Sequence, residues 1–223
     1  MSESVVSPPA DAVGRVSTAP GFFVCFEGGD GAGKSTQVRL LTQALESDGR
    51  DVLVTRQPGG TELGTAIRQL VLHGNHVSPR AEALLFAADK AHHVDELIRP
   101  ALAAGQIVIT DRYTDSSIAY QGAGRDLGAD EIRVLQRWAV SGVLPDLTVV
   151  LDVTPQLGRA RRGEQPDRLE AEADAFHEAV RQGFVDLAAR EPDRYLVIDA
   201  GRPTDQIHAI VRARVERALA VAR

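Results

Sequence analysis

A chain of 223 residues, 43% hydrophobic and 25% charged, has the composition of a globular protein and enough length to bury one sizeable core. Its net charge of −6 provides no steering toward nucleic acid or an anionic membrane, so neither is expected as a partner. The single cysteine, Cys25, excludes an internal disulfide, and no apolar run approaches the roughly 18 residues of a membrane span.

Residues 1–20, rich in Ser, Pro and Ala without periodicity, read as a disordered leader without a secretory pattern, so a cytoplasmic location is expected. Residues 21–223 read as one domain. FFVCF, residues 22–26, is a short aromatic and β-branched run of the kind buried on both faces of a parallel sheet. EGGDGAGKST follows it, then Val38, Leu41 and Leu45 at helical spacing until Gly49.

Gly28, four residues, Gly33, Lys34 and Ser35 fit the phosphate-loop pattern G-x-x-x-x-G-K-[ST], which chance places in a chain of this length roughly once in a hundred sequences. Gly28, Gly29, Asp30, Gly31, Ala32, Gly33, Lys34, Ser35 and Thr36 would cradle phosphates with inward backbone N–H groups at a helix N-terminus. Lys34 would reach the β and γ phosphates and Ser35 would hold Mg²⁺. A plain glycine turn from strand to helix leaves Lys34 and the glycine spacing unexplained.

DVLVT (51–55) reads as the second strand. In the helical LLFAADKA, Phe86 and Lys90 are four apart and share a face, where phenylalanine is more often core and lysine more often solvent-facing. His92 and His93 diverge by about 100° on a helix, so they cannot clamp one metal and are expected to face solvent. QIVITD (106–111) reads as a strand ending in Asp111 and Arg112. There a carboxylate could support the Mg²⁺ shell and a guanidinium could bridge donor and acceptor phosphates; alone, the pair reads equally well as a surface ion pair.

Trp138, in an apolar helical run, is expected in the core or at an interface. After the strand DLTVVLDV (146–153) comes RARRGEQPDRLE, with Arg159, Arg161, Arg162 and Arg168 in a charge run that is ordinarily a solvated face. QPDRLEAEADAFHEAV reads as a charged amphipathic helix, and YLVIDA (195–200) as the last strand. Strands alternating with helices predict an α/β fold: a P-loop NTPase-type three-layer sandwich, with a five-stranded parallel sheet between helices and its site at the strands' carboxyl ends. With 23 arginines and only two lysines, Lys34 and Lys90, the chain uses lysine almost nowhere that arginine would serve.

EGGDGAGKST, TRQPGGT, LLFAADKA, DRYTDSSIAYQGAGR, PDLTVVLDV and RARRGEQPDRLE, in this order, resemble the bacterial thymidylate kinases, a family of P-loop nucleoside monophosphate kinases, over about residues 21–200. The resemblance implies transfer of the γ-phosphoryl of MgATP to dTMP, giving dTDP and ADP for dTTP synthesis. It implies that Phe86 stacks on thymine, that Lys90 donates to a base carbonyl, and that Ser117, Tyr120 and Gln121 contact base and sugar. Asp30 would accept from the 3′-hydroxyl, Arg68 would hold the dTMP phosphate, Arg112 would bridge acceptor and donor phosphates, and Arg56 and Pro58 would belong to the substrate pocket. A lid at about 155–170 would bring Arg161 or Arg168 to the transferred group, and a homodimer is implied as well.

Two positions depart from the family pattern. Gln57 stands where the family has glutamate, and Lys90 where it usually has arginine. A kinase for another small nucleoside monophosphate, with an altered base pocket, is therefore an alternative. A GTPase is a weak one, since the chain's one asparagine, Asn75, is followed by histidine rather than the lysine of N-K-x-D.

Overall fold

The computed structural model describes residues 21–161 and 166–221; the expected leader and part of the expected lid, residues 162–165, lie outside them. In chain order the elements are β1 (Phe22–Glu27), α1 (Lys34–Ser47), β2 (Val52–Arg56), α2 (Glu62–Arg68), α3 (Pro79–His93), α4 (Arg99–Ala103) and β3 (Ile107–Asp111). They continue with α5 (Thr114–Ser117), α6 (Ala129–Ala139), β4 (Leu147–Asp152), α7 (Pro155–Arg161), α8 (Asp174–Arg190), β5 (Tyr195–Asp199) and α9 (Thr204–Val221). Wider, π-type turns over Gln69–His73, Val94–Ile98 and Ile118–Gly124 extend α2, α3 and α5.

The five strands form one parallel sheet in the order β2-β3-β1-β4-β5. β1 lies in the middle and is buried throughout, which is why its sequence is a continuous apolar run. β2, at an edge, keeps half-exposed positions. Period-two alternation divides the side chains of β1 between two layers. Phe22, Val24 and Phe26 pack with Leu41 of α1 and Val211 of α9, while Phe23 and Cys25 pack with Ile98, Leu102 and Tyr113 on the other face. A third apolar cluster, including Phe86, Ile118, Tyr120, Phe176 and Phe184, joins α3, α8 and the turn after α5 beside the sheet.

Strand register positions the site. Phe26 of β1 and Arg56 of β2 both lie opposite Asp111 of β3, and Glu27 lies opposite Val150 of β4. The carboxyl ends of these strands therefore open at one level, at the crevice where α/β sheets bind ligands.

Two expectations change. The amphipathic stretch is helical only from Asp174; before it, residues 167–170 form a turn in which the Asp167 carboxylate accepts from the backbone N–H groups of Leu169 and Glu170, both at 2.9 Å. An aspartate that caps so near its own backbone favours a turn over a helix interior. Trp138 is 79% exposed and so is not core: α6 turns Ile132 and Gln136 inward and leaves Val134 and Trp138 on its outer face. Among the described residues, no helix is long and apolar enough to cross a membrane.

Leu41 is fully buried where α1 meets the sheet, so Leu41→Ala is expected to cost about 2–5 kcal/mol, read as a shifted urea midpoint at unchanged slope.

Candidate active site

The loop between β1 and α1 is shaped by close backbone approach. A Cβ on Gly28 would lie 2.3 Å from the carbonyl oxygen of Leu151, and one on Gly31 would lie 2.3 Å from that of Gly158 in α7. Both glycines also have positive φ, which side chains disfavour. Lys34 curls back over the loop, its ammonium donating to the carbonyls of Gly28 at 3.0 Å and Gly29 at 2.9 Å. Its burial, with Arg112 nearby, lowers the ammonium pKa. The Ser35 hydroxyl donates to Asp111 at 2.8 Å, joining the loop to the end of β3.

Arg112 crosses the cleft from the other side. Its φ of 70° is a left-handed conformation that costs an arginine about 1–3 kcal/mol. Local bonds hold it: its N–H donates to Phe26 at 2.9 Å, and the Thr110 hydroxyl donates to its carbonyl, also at 2.9 Å. Buried Glu27, which the sequence reading left unassigned, accepts from the N–H groups of Tyr113 and Ser116 and from the Ser116 hydroxyl, shaping the turn that aims Arg112. The guanidinium then donates to the Gly28 carbonyl, to Asp30 and to the Tyr120 hydroxyl. Tyr120 in turn donates to the other Asp30 oxygen at 2.8 Å. Burial alone would raise the Asp30 pKa, but Arg112 and Lys34 outweigh it and hold the carboxyl below the usual range.

A cavity of about 680 Å³ runs from this loop along the strand ends. At one end Arg56, Pro58 and Arg68 converge with Arg112. Arg68 donates to the Pro58 carbonyl at 3.2 Å, and burial together with the charge of Arg56 lowers its pKa. Clustered guanidiniums of this kind match an anion. Beyond them lie Phe86, Lys90, Ser117, Tyr120 and Gln121. Lys90 is buried, donating to the Ser117 hydroxyl at 2.8 Å with its ammonium 5.5 Å from the Phe86 ring centre, and burial pushes its pKa down to about 8. Tyr120 also packs edge-on against Phe176 and Phe184, so its ring is core while its hydroxyl serves the cleft.

Several placements differ from expectation. His93 is fully buried rather than solvent-facing, its Nε2 2.7 Å from the Thr55 hydroxyl and its Nδ1 2.7 Å from the Gln57 amide nitrogen. Burial, with Lys90 and His92 nearby, pushes it down to about 4, so the ring is neutral near pH 7. The Gln57 amide must donate, so Nδ1 accepts and the Nε2–H donates to Thr55. Arg161 lines the cavity and donates to the Ala200 carbonyl at 2.8 Å, whereas Arg168 lies outside the lining, its guanidinium on buried Glu82 and on the Val71 carbonyl. At the far end Gln37, Arg202, Thr204 and Ile207 complete the lining, residues that sequence reasoning missed. The carboxyl end of the last strand, GRPT, was the available signal.

The thymidylate kinase family profile matches residues 26–211. A thymidylate kinase of Clavibacter michiganensis subsp. michiganensis is 55% identical over 204 residues, covering 90% of this chain and 97% of that protein. The chain belongs to the thymidylate kinase family. A Bifidobacterium longum thymidylate kinase is 53% identical over 88% of this chain and 98% of its own length. The crystal structure of the Ehrlichia chaffeensis thymidylate kinase superposes with a TM-score of 0.73 at 34% identity, covering 87% of this chain and 98% of that one.

Within this family framework Lys90 carries a pH signature. Its folded pKa of about 8 lies below the ordinary 10.5, so between these values the unfolded chain binds more protons and stability rises with pH. The melting temperature of the wild type is expected to rise relative to that of Lys90→Met from pH 8 toward 10, measured as paired thermal melts; a flat difference means that the ammonium titrates normally.

Proposed function

We propose that this protein transfers the γ-phosphoryl group of ATP to the 5′-phosphate of dTMP, giving dTDP and ADP in dTTP synthesis. One observation carries the reading: the phosphate loop with Lys34 and the guanidiniums of Arg56, Arg68 and Arg112 line a single cavity. Two anions bound at these places would share that cavity. The acceptor phosphate, with a second pKa near 6, is already mostly a dianion at neutral pH, so no strong base is needed. The work is positioning and charge neutralisation.

Lys34 and the loop N–H groups would hold the donor phosphates, and Arg112 would bridge toward the acceptor while Asp30 holds its guanidinium. Asp30 and Tyr120 would meet the deoxyribose, Tyr120 crowding a 2′-hydroxyl. Phe86 offers a stacking face and Lys90 a donor to a base carbonyl, with Ser117 and Gln121 beside them. Among the described residues of the proposed lid segment, Arg161 is the arginine that lines the cavity. Ser35 and Asp111 supply a hydroxyl and a carboxylate in mutual contact, an oxygen donor set that suits Mg²⁺. Mg²⁺ bound there would neutralise phosphate charge.

The protein is read as a cytoplasmic homodimer with no nucleic-acid or membrane partner. Leu63 and Leu70 along the α2 segment, Leu84 of α3, and Val134 and Trp138 of α6 are exposed apolar side chains on neighbouring helices, a surface that a second copy would cover.

ADP release measured against dTMP, dUMP, dGMP, UMP and CMP is expected to show the highest kcat/KM for dTMP; a higher value for any other nucleotide refutes the assignment. Lys34→Met is expected to lower kcat by roughly 100- to 1,000-fold, the scale of losing one charge-stabilising donor. Trp138→Glu is expected to shift the protein toward monomer in light scattering, and an unchanged dimer mass would remove α6 from the interface.

A further inference from the structure

Glu82 is a fully buried carboxylate on α3, one helical turn before Phe86 and two before Lys90 on the same face. Both of its oxygens are occupied. Oε1 accepts from the Gln121 amide at 2.8 Å and from Arg125 Nε at 3.4 Å; Oε2 accepts from a guanidinium nitrogen of Arg168 and, at 3.5 Å, from Arg125. These donors lead to two walls of the cavity, and the helix of Glu82 carries a third. Gln121 lines it directly.

Arg168 leads to the second wall. Its backbone N–H donates to the Leu72 carbonyl at 3.2 Å and its Nε to the Val71 carbonyl at 2.8 Å, so residues 167–170 are held where Asp167, Leu169 and Glu170 line the cavity. Arg125 supports the same segment through Glu172, donating at 2.6 Å. The third wall, Phe86 and Lys90, stands on the helix that carries Glu82.

We infer that Glu82 is a positioning residue for the acceptor nucleotide: one buried carboxylate sets the spacing between the Phe86–Lys90 face, Gln121 and the 167–170 turn, and thereby the width of the base-binding end. The inference rests on the proposed reading of that end as the dTMP site. A carboxylate suits this role because two guanidiniums and an amide converge on it. An amide in its place would turn an N–H toward one of these donors and leave buried groups unpaired, which is costly. The opposite end of the cavity, with Gln37, Arg202 and Thr204, receives none of the bonds that Glu82 accepts. Disturbing Glu82 should therefore affect the acceptor and spare the donor.

The test uses the full chain with Glu82→Gln, Arg168→Met and the double variant, measuring KM for dTMP and for ATP, kcat and thermal unfolding. KM for dTMP is expected to rise roughly 10- to 100-fold in each single variant, with KM for ATP within about two-fold of wild type. The double variant is expected to be no worse than the poorer single variant, because both break one contact. Arg168→Met leaves Glu82 paired with Arg125 and Gln121, so it provides a folded variant even where Glu82→Gln unfolds. A folded Arg168→Met with unchanged KM for dTMP overturns the inference, as do losses that fall equally on dTMP and ATP. Wild-type protein without dTMP turnover overturns the reading of the cavity, and this inference with it.

Discussion

The contact between Asp30 and Arg112 joins the two halves of the site. Asp30 belongs to the loop after β1 and Arg112 to the turn after β3, adjacent strands in register at Phe26 and Asp111. Without the sheet the two charges have no reason to meet, and without the contact two cationic groups, Lys34 and Arg112, would face each other across a buried space. The carboxylate offsets that repulsion in the absence of substrate, and its hydrogen bond with Tyr120 links it to the apolar cluster under α8. Charge and packing thus reinforce one another at the point where two polyanions must be brought together.

The same logic governs the rest of the cleft. Three buried polar side chains are satisfied by partners from distant parts of the chain: Glu27 by the turn after β3, His93 by the end of β2, Glu82 by three side chains from two regions. Each such group would be costly if left unpaired in a dry interior, and each ties together segments that the sheet alone would leave independent. Gln57 joins this set through its amide nitrogen alone, its Oε1 making no hydrogen bond within the protein. Its amide donates to a neutral imidazole, so no carboxylate is required at that position to hold the loop that carries Arg56 and Pro58.

What could be read from the sequence was what local physics dictates. FFVCF and DLTVVLDV are continuous apolar runs because their strands are covered on both faces, and the phosphate loop is legible because its glycines answer to backbone geometry at fixed spacing. Residues whose role depends on a partner far along the chain were not legible. Nothing local marks Glu82 as buried, since glutamate on a helix is ordinarily solvated; it is the arrival of Arg168, 86 residues away, that makes burial tolerable. The burial of His93 has the same origin, its partners Thr55 and Gln57 lying 38 and 36 residues away. The far end of the cavity was overlooked because Arg202 and Thr204 follow the last strand without a distinctive pattern, and Arg168 reads as one more member of an arginine-rich run.

The backbone meeting of Gly31 and Gly158 has a consequence for how such a chain can diverge. In most packed pairs a larger side chain on one side can be accommodated by a smaller one opposite. Here both partners are already hydrogen, and each would-be Cβ runs into main chain, Gly31 into the carbonyl of residue 158 and Gly158 into that of residue 30, at 2.3 and 2.5 Å. No reciprocal exchange exists. A side chain at either position would therefore have to push the root of α7 away from the loop beneath it.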